Sequence, residues 1–234
     1  MMPEGFHPSR ILSRLPGRFS VMLCTIILAL ALRPFLEGHF RMAFLTDIFF
    51  SIVLMSGIYT ASNRKSTLGV SLLIGVPALA LEWATYFSGA PFLQRLSNVL
   101  FALFFCFVLV VTLSYVLRQK RVTLDVIMGA ASVYFLVGIS WAFVFLFLEE
   151  SYPGSFSLAA GRLKDIDHFL YFSLITLTTT GYGDITPVSA PARSLAVLEA
   201  ATGQLYMAVT IARLVGVHIS QRGPMNPGSQ GSEK

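Results

Sequence analysis

Apolar residues in this chain come in runs of about twenty, and that spacing limits what it can fold into. A helix needs about 20 mostly apolar residues to cross the hydrocarbon layer of a bilayer. Inside that layer only helices and closed barrels pair every backbone polar group. Six such runs stand at Phe19–Leu36, Ala43–Ala61, Thr67–Phe87, Leu96–Leu117, Leu124–Leu148 and Ala190–Ile219. Charged residues make up 12% of the chain, against about 25% in a soluble domain. A water-soluble globular fold is therefore excluded, and the expectation is an all-α membrane protein with six transmembrane helices. Cys24 and Cys106 both fall inside apolar runs, which points to small core residues rather than a disulfide.

Between the fifth and sixth runs lies Asp165–Thr178, too short to cross. Asp165 and Asp167 suit a helix start, and Phe169, Tyr171, Phe172 and Leu174 crowd the next two turns. This predicts a re-entrant helix, tolerated at membrane depth where protein and a water-filled cavity surround it. It runs into Thr178-Thr179-Thr180-Gly181-Tyr182-Gly183-Asp184. Carbonyls that line one side of an extended segment need backbone of alternating handedness. Glycine takes positive φ without steric penalty, so Gly181 and Gly183 fit. Glycine pairs alone mark an ordinary tight turn. Three threonines before, Asp184 after and long apolar helices on both sides favour a pore loop.

On these residues the chain resembles the potassium channel family, whose selectivity-filter loop is typified by TVGYG. The resemblance covers roughly residues 124–219. It implies a homotetramer in which four loops share one axis and backbone oxygens of Thr179, Thr180, Gly181, Tyr182 and Gly183 replace the hydration shell of a potassium ion. The Thr179 hydroxyl adds an oxygen at the inner end, Tyr182 packs behind as a strut, and Asp184 caps the outer mouth. Potassium is then a permeant ligand, with no cofactor implied. Thr180 stands where the family usually has valine; its carbonyl still serves, while its hydroxyl can alter filter rigidity or inactivation. Ile175 stands where some relatives carry a carboxyl that braces the filter aspartate, so that brace is lacking. Tyr171 and Phe172 stand where an aromatic cuff often has tryptophans. The carboxyl end of the pore helix, near Thr176–Thr178, is expected to aim at a central cavity, where about half an elementary charge of helix dipole favours a cation. Gly203 follows Gly183 at the spacing of the family's inner-helix hinge glycine, and it reads equally well as a close-packing site.

Ionisable residues within spans are costly and usually face protein or water. Glu199 is expected either to attract cations at the cavity or to hydrogen-bond behind the filter, with Gln204 as a further participant. Arg213 can pair with Asp125 as a gate latch, or snorkel to the interface. Arg33, Asp47 and Glu82 share the outer third of the first three runs and suggest a structural cluster. A steep voltage sensor needs about 3–4 gating charges in its fourth helix, and Leu96–Leu117 contains no Lys or Arg. Weak voltage dependence is therefore expected. His7, His39, His168 and His218 are scattered, and no catalytic residue is expected.

The basic residues set the topology. Arg10, Arg14, Arg18, Arg64, Lys65, Arg118, Lys120, Arg121, Arg222 and Lys234 fall on one side, which the positive-inside rule makes cytoplasmic. Both termini are then inside and the 178–184 loop faces out. The net charge of +5 suits such loops better than a nucleic-acid partner. A cleaved signal peptide ending near Ala29-Leu30-Ala31 is a rival for the first run, and it leaves the remaining topology unchanged. The expected organisation is a cytoplasmic segment over 1–18, a four-helix membrane domain without voltage sensor over 19–121, a pore domain over 122–219 and a disordered cytoplasmic tail over 220–234. Short loops suggest a bacterial plasma (inner) membrane. The expected function is a passive potassium-selective channel. A non-conducting membrane scaffold or sensor subunit with the same pore fold is the alternative. Potassium transporters built on four single-glycine loops in a longer chain are disfavoured, because one loop occurs here.

Overall fold

The computed structural model describes residues 17–36, 42–61, 65–158 and 166–221. Seven helices are described: α1 (Arg18–Leu36), α2 (Met42–Ala61), α3 (Lys65–Ser88), α4 (Pro91–Arg118), α5 (Leu124–Ser151), α6 (Ile166–Leu177) and α7 (Ala190–Gln221). Each apolar run became one helix, longer than the run by a few residues at most ends. Pro91 opens α4, where its missing N–H costs nothing and its fixed φ suits a first turn. The Thr123 hydroxyl accepts from the Val126 amide at 3.4 Å to cap α5, and Asp125 sits in that helix's first turn, where a carboxylate favours the dipole.

Among the described residues, four helices are long and apolar enough to cross a membrane: α3 over Lys65–Thr85, α4, α5, and α7 over Ala190–Val217. The apolar stretches described in α1 and α2, Arg18–Leu32 and Ser51–Thr60, are shorter. The chain is thus a multi-pass, helical membrane protein. Helix α6 has 12 residues and spans about 18 Å, well short of the roughly 30 Å layer.

Helix α5 is the hub, packing against α1, α4, α6 and α7, while α3 lies between α2 and α4. Its inward face carries Val133, Leu136, Ile139, Ala142, Phe143 and Phe145, all buried. Aromatic rings fill the outer half of this core. Phe145 meets Phe172 at 5.1 Å and Phe156 at 5.5 Å, both edge to face. Phe156 also meets Phe169 at 5.4 Å and Phe172 at 5.3 Å. Such edge-on contacts match the charge distribution of the rings.

Two features depart from expectation. A short antiparallel ribbon joins β1 (Phe156–Leu158) to β2 (Ile185–Pro187), with Phe156 opposite Pro187 and Leu158 opposite Ile185. The Ser155 carbonyl prolongs it by accepting from the Val188 and Ser189 amides at 2.8 and 3.2 Å. Glu149, at the end of α5, accepts from the Gly154 and Phe156 amides at 2.8 and 3.1 Å. Second, Cys24 and Cys106 are free thiols as expected, but both are exposed rather than in the core. Of the N-terminal and C-terminal segments expected at 1–18 and 220–234, residues 1–16 and 222–234 lie outside the described residues, as do the side chains of Arg33 and Asp47.

Candidate ion-conduction site

The candidate site is built where α6 ends. An α-helix leaves its last four carbonyls without partners inside the helix. Here all four are used by other groups of the same chain. Leu174 O accepts from the Thr178 amide at 3.0 Å and from its hydroxyl at 2.7 Å. Ile175 O accepts from the Thr180 and Gly181 amides at 2.8 and 3.2 Å, and Thr176 O accepts from the Thr179 amide at 2.9 Å. Leu177 O accepts from the Tyr134 phenol on α5 at 3.0 Å. The loop is therefore bound back onto the helix end. The dipole expected to face a cavity survives in direction, but its terminal carbonyls are engaged within the chain.

Beyond Thr178 the backbone changes hand at every second residue. Thr179, Gly181 and Gly183 have φ of 58°, 53° and 81°. Gly181 and Gly183 carry no side chain to oppose this, whereas Thr179 pays a steric penalty. Among the described residues it is the sole non-glycine at positive φ. Sequence reasoning picked out the two glycines and missed Thr179, because a β-branched residue is a poor candidate for that conformation. The Thr179 hydroxyl donates to Thr178 O at 2.6 Å, and the Thr180 hydroxyl lies 2.9 Å from that of Thr178. The polar group at Thr180 is thus tied through Thr178 to the end of α6.

Residues Thr178 to Asp184 are exposed in the single chain. Tyr182 is 73% exposed, so the strut expected of it has no seat within one chain. At the outer end, the Tyr171 phenol lies beside Asp184; partial desolvation first, and then that carboxylate, push the phenol above the ordinary tyrosine value. Ile175 cannot brace the aspartate, as expected, but Tyr171, one turn earlier, stands next to it. β2 comes directly after Asp184 and anchors the loop exit to the end of α5 through β1.

Helix α7 closes the site from behind. Gly203 is buried, and a Cβ there would lie 2.7 Å from Leu177 O and 2.8 Å from Leu177 Cδ1. Glycine at this position lets α7 touch the end of α6, which is the close-packing role. Glu199, one turn earlier, is fully buried behind α6, where its Oε1 contacts the Ser173 hydroxyl. It does not face a cavity. Gln204 is exposed and takes no part in this contact.

The Arg213–Asp125 latch is corrected. The Arg213 guanidinium donates to Leu117 O and, at 3.5 Å, to Gln119 O at the end of α4. A cation there satisfies terminal carbonyls and suits the negative end of the helix. Asp125 Oδ1 is buried without a hydrogen-bond partner among the described residues. On the other face of the molecule, Arg95 and Glu150 approach to 4.0 Å.

Residues 133–218 match a family described as Ion channel. The chain is 32% identical over 100 residues to Protein LctB of Geobacillus stearothermophilus, covering 41% of this chain and 74% of that protein. The chain belongs to the potassium channel family. Shorter matches are to proteins named as potassium channels. Two pore potassium channel c of Oryza sativa is 46% identical over 41 residues, which is 18% of this chain and 9% of that one. Probable potassium channel protein 2 of Methanocaldococcus jannaschii is 49% identical over 43 residues, 18% of this chain and 12% of that one. In a channel of this family potassium is a permeant ion and not a cofactor. The family match begins within α5 and ends within α7, so it includes all the loop geometry from α6 to β2 and none of α1 to α4.

Proposed function

We propose that this channel conducts potassium selectively and passively through a pore made by four copies of the chain. Thr179, Thr180, Gly181, Tyr182 and Gly183 supply the ion-coordinating oxygens, and Asp184 borders the outer mouth. The observation that carries the proposal is the alternation of hand at Thr179, Gly181 and Gly183. Peptide planes that flip at every second residue can present successive carbonyls to one side, as a row of coordinating oxygens requires. One chain supplies one such row, and an ion that exchanges its hydration shell for protein oxygen needs several rows around it.

Two further observations favour assembly from copies. Helix α7 leaves Val197, Leu198, Leu205, Val209, Ile211 and Val215 exposed. Tyr182 has no packing partner of its own, and a neighbouring copy is where its ring finds one. The excess of basic residues on one side favours both termini in the cytoplasm and the 178–184 loop outside, and the short loops favour a bacterial plasma membrane. Residues 19–121 form a membrane domain without gating charges, and 122–219 form the pore domain.

The test is ion flux in liposomes holding the purified full chain. Potassium should pass far faster than sodium, and barium should block it. Equal passage of both ions, or a dimeric assembly in solution, rejects the proposal. A protein that assembles as a tetramer but passes neither ion would be a scaffold with a channel fold.

A further inference from the structure

Behind the pore helix, three helices meet at one hydroxyl. Ser173 on α6 lies with its Oγ 2.7 Å from Gly138 O on α5 and in hydrogen-bond contact with Glu199 Oε1 on α7. Ser173 and Glu199 are both fully buried. A serine hydroxyl has one proton to give, and both a peptide carbonyl and a carboxylate can only accept. With an ionised Glu199, two acceptors would contest that single proton. With a neutral Glu199, both contacts become full hydrogen bonds in series: Glu199 donates to Ser173, and Ser173 donates to Gly138 O.

The rest of the surroundings agree. Glu199 Oε2 is buried with no hydrogen-bond partner among the described residues. No described basic side chain forms an ion pair with it. An isolated carboxylate in such a place pays heavily for its lost water, whereas a neutral acid does not. We infer that Glu199 is a proton-bearing hydrogen-bond donor that pins the pore helix, through Ser173, between α5 and α7.

One turn further along α7, Gly203 abuts Leu177 O, the carbonyl that also accepts from Tyr134. The two junctions grip α6 at Ser173 and at Leu177, just ahead of Thr178. A shift of α7 is therefore passed to the loop through α6. The importance of this for conduction rests on the proposed pore function. Glu199 is a positioning residue, since it acts on the loop through Ser173 and α6.

The test uses the full chain in lipid vesicles and does not depend on flux. Infrared difference spectra should contain a protonated-carboxyl C=O band that is lost in E199Q and moves to higher frequency in S173A, where its hydrogen-bond acceptor is gone. Amide exchange across Ser173–Leu177 should quicken about tenfold or more in E199L. In E199Q, whose amide still donates, it should stay within about twofold of the parent. Identical carboxyl bands in parent and E199Q would overturn the inference. So would E199L exchange at the parent rate, or E199Q exchange as fast as E199L. Potassium flux through the same vesicles separates the two proposals: a parent protein silent to potassium refutes the pore function, while band and exchange still decide the role of Glu199.

Discussion

At the scale of single residues, the backbone of the 178–184 loop holds its form with help from hydroxyls. Thr180 contributes a contact that valine cannot make, 2.9 Å to the Thr178 hydroxyl, which itself donates to Leu174 O at 2.7 Å. A hydrogen bond of this kind is worth about 0.5–1.5 kcal/mol. T180V should leave the potassium-to-sodium flux ratio unchanged, since it keeps the peptide carbonyl. It should also hasten the decay of steady current by roughly two- to tenfold. Single-channel recording of parent and variant checks both halves. The nearness of Tyr171 to Asp184 has no sequence signature: the carboxyl is missing at Ile175, whereas a phenol one turn back lies beside the same aspartate.

At the scale of elements, helices were legible and ribbons were not. A run of twenty apolar residues is a strong signal, because the bilayer sets its length. The strands at Phe156–Leu158 and Ile185–Pro187 have three residues each, too few for a two-residue periodicity to register. Arg213 illustrates a different blind spot. The sequence offers a pairing with Asp125 or a side chain that snorkels to the interface, while the structure supplies helix-end carbonyls, which carry no sequence signature. Gly203 had two equal readings, and the closeness of Leu177 O now separates what each predicts. A Cβ 2.7 Å from a backbone oxygen cannot be relieved by a rotamer change. G203A should therefore lower assembly stability by about 1–3 kcal/mol and reduce flux with it, read by thermal unfolding of the assembly and by liposome assay. If Gly203 served as a hinge alone, alanine would slow opening yet hold or raise stability, because it is the better helix former.

At the scale of the whole molecule, α5 joins two unequal halves. Helices α1 and α4 lean on one part of its surface, α6 and α7 on another. The half before α5 has the size of a sensor, yet α4 carries its arginines at Arg95 and Arg118 only. Arg95 faces Glu150 at 4.0 Å from the end of α5, an exposed pair of the sort that contributes little. Moving one charge through the membrane field is worth about 2.3 kcal/mol per 100 mV, so a helix with no Lys or Arg between Leu96 and Leu117 has almost nothing for voltage to pull. Open probability should change less than about threefold between −100 and +100 mV in planar-bilayer recordings. Movement of several elementary charges per subunit would contradict this.

The alternating hand of the loop has a genetic corollary. In the proposed pore the ligands belong to the main chain and cannot be deleted by a codon change: any residue can be exchanged while the count of peptide oxygens stays the same, although a side chain at Gly181 or Gly183 would oppose their positive φ. On the proposed function, variation at Thr180 is free to retune the lifetime of the conducting form without altering which ion is chosen. Only chemistry that edits the peptide link itself, such as an ester in place of an amide, reaches the coordinating atoms directly.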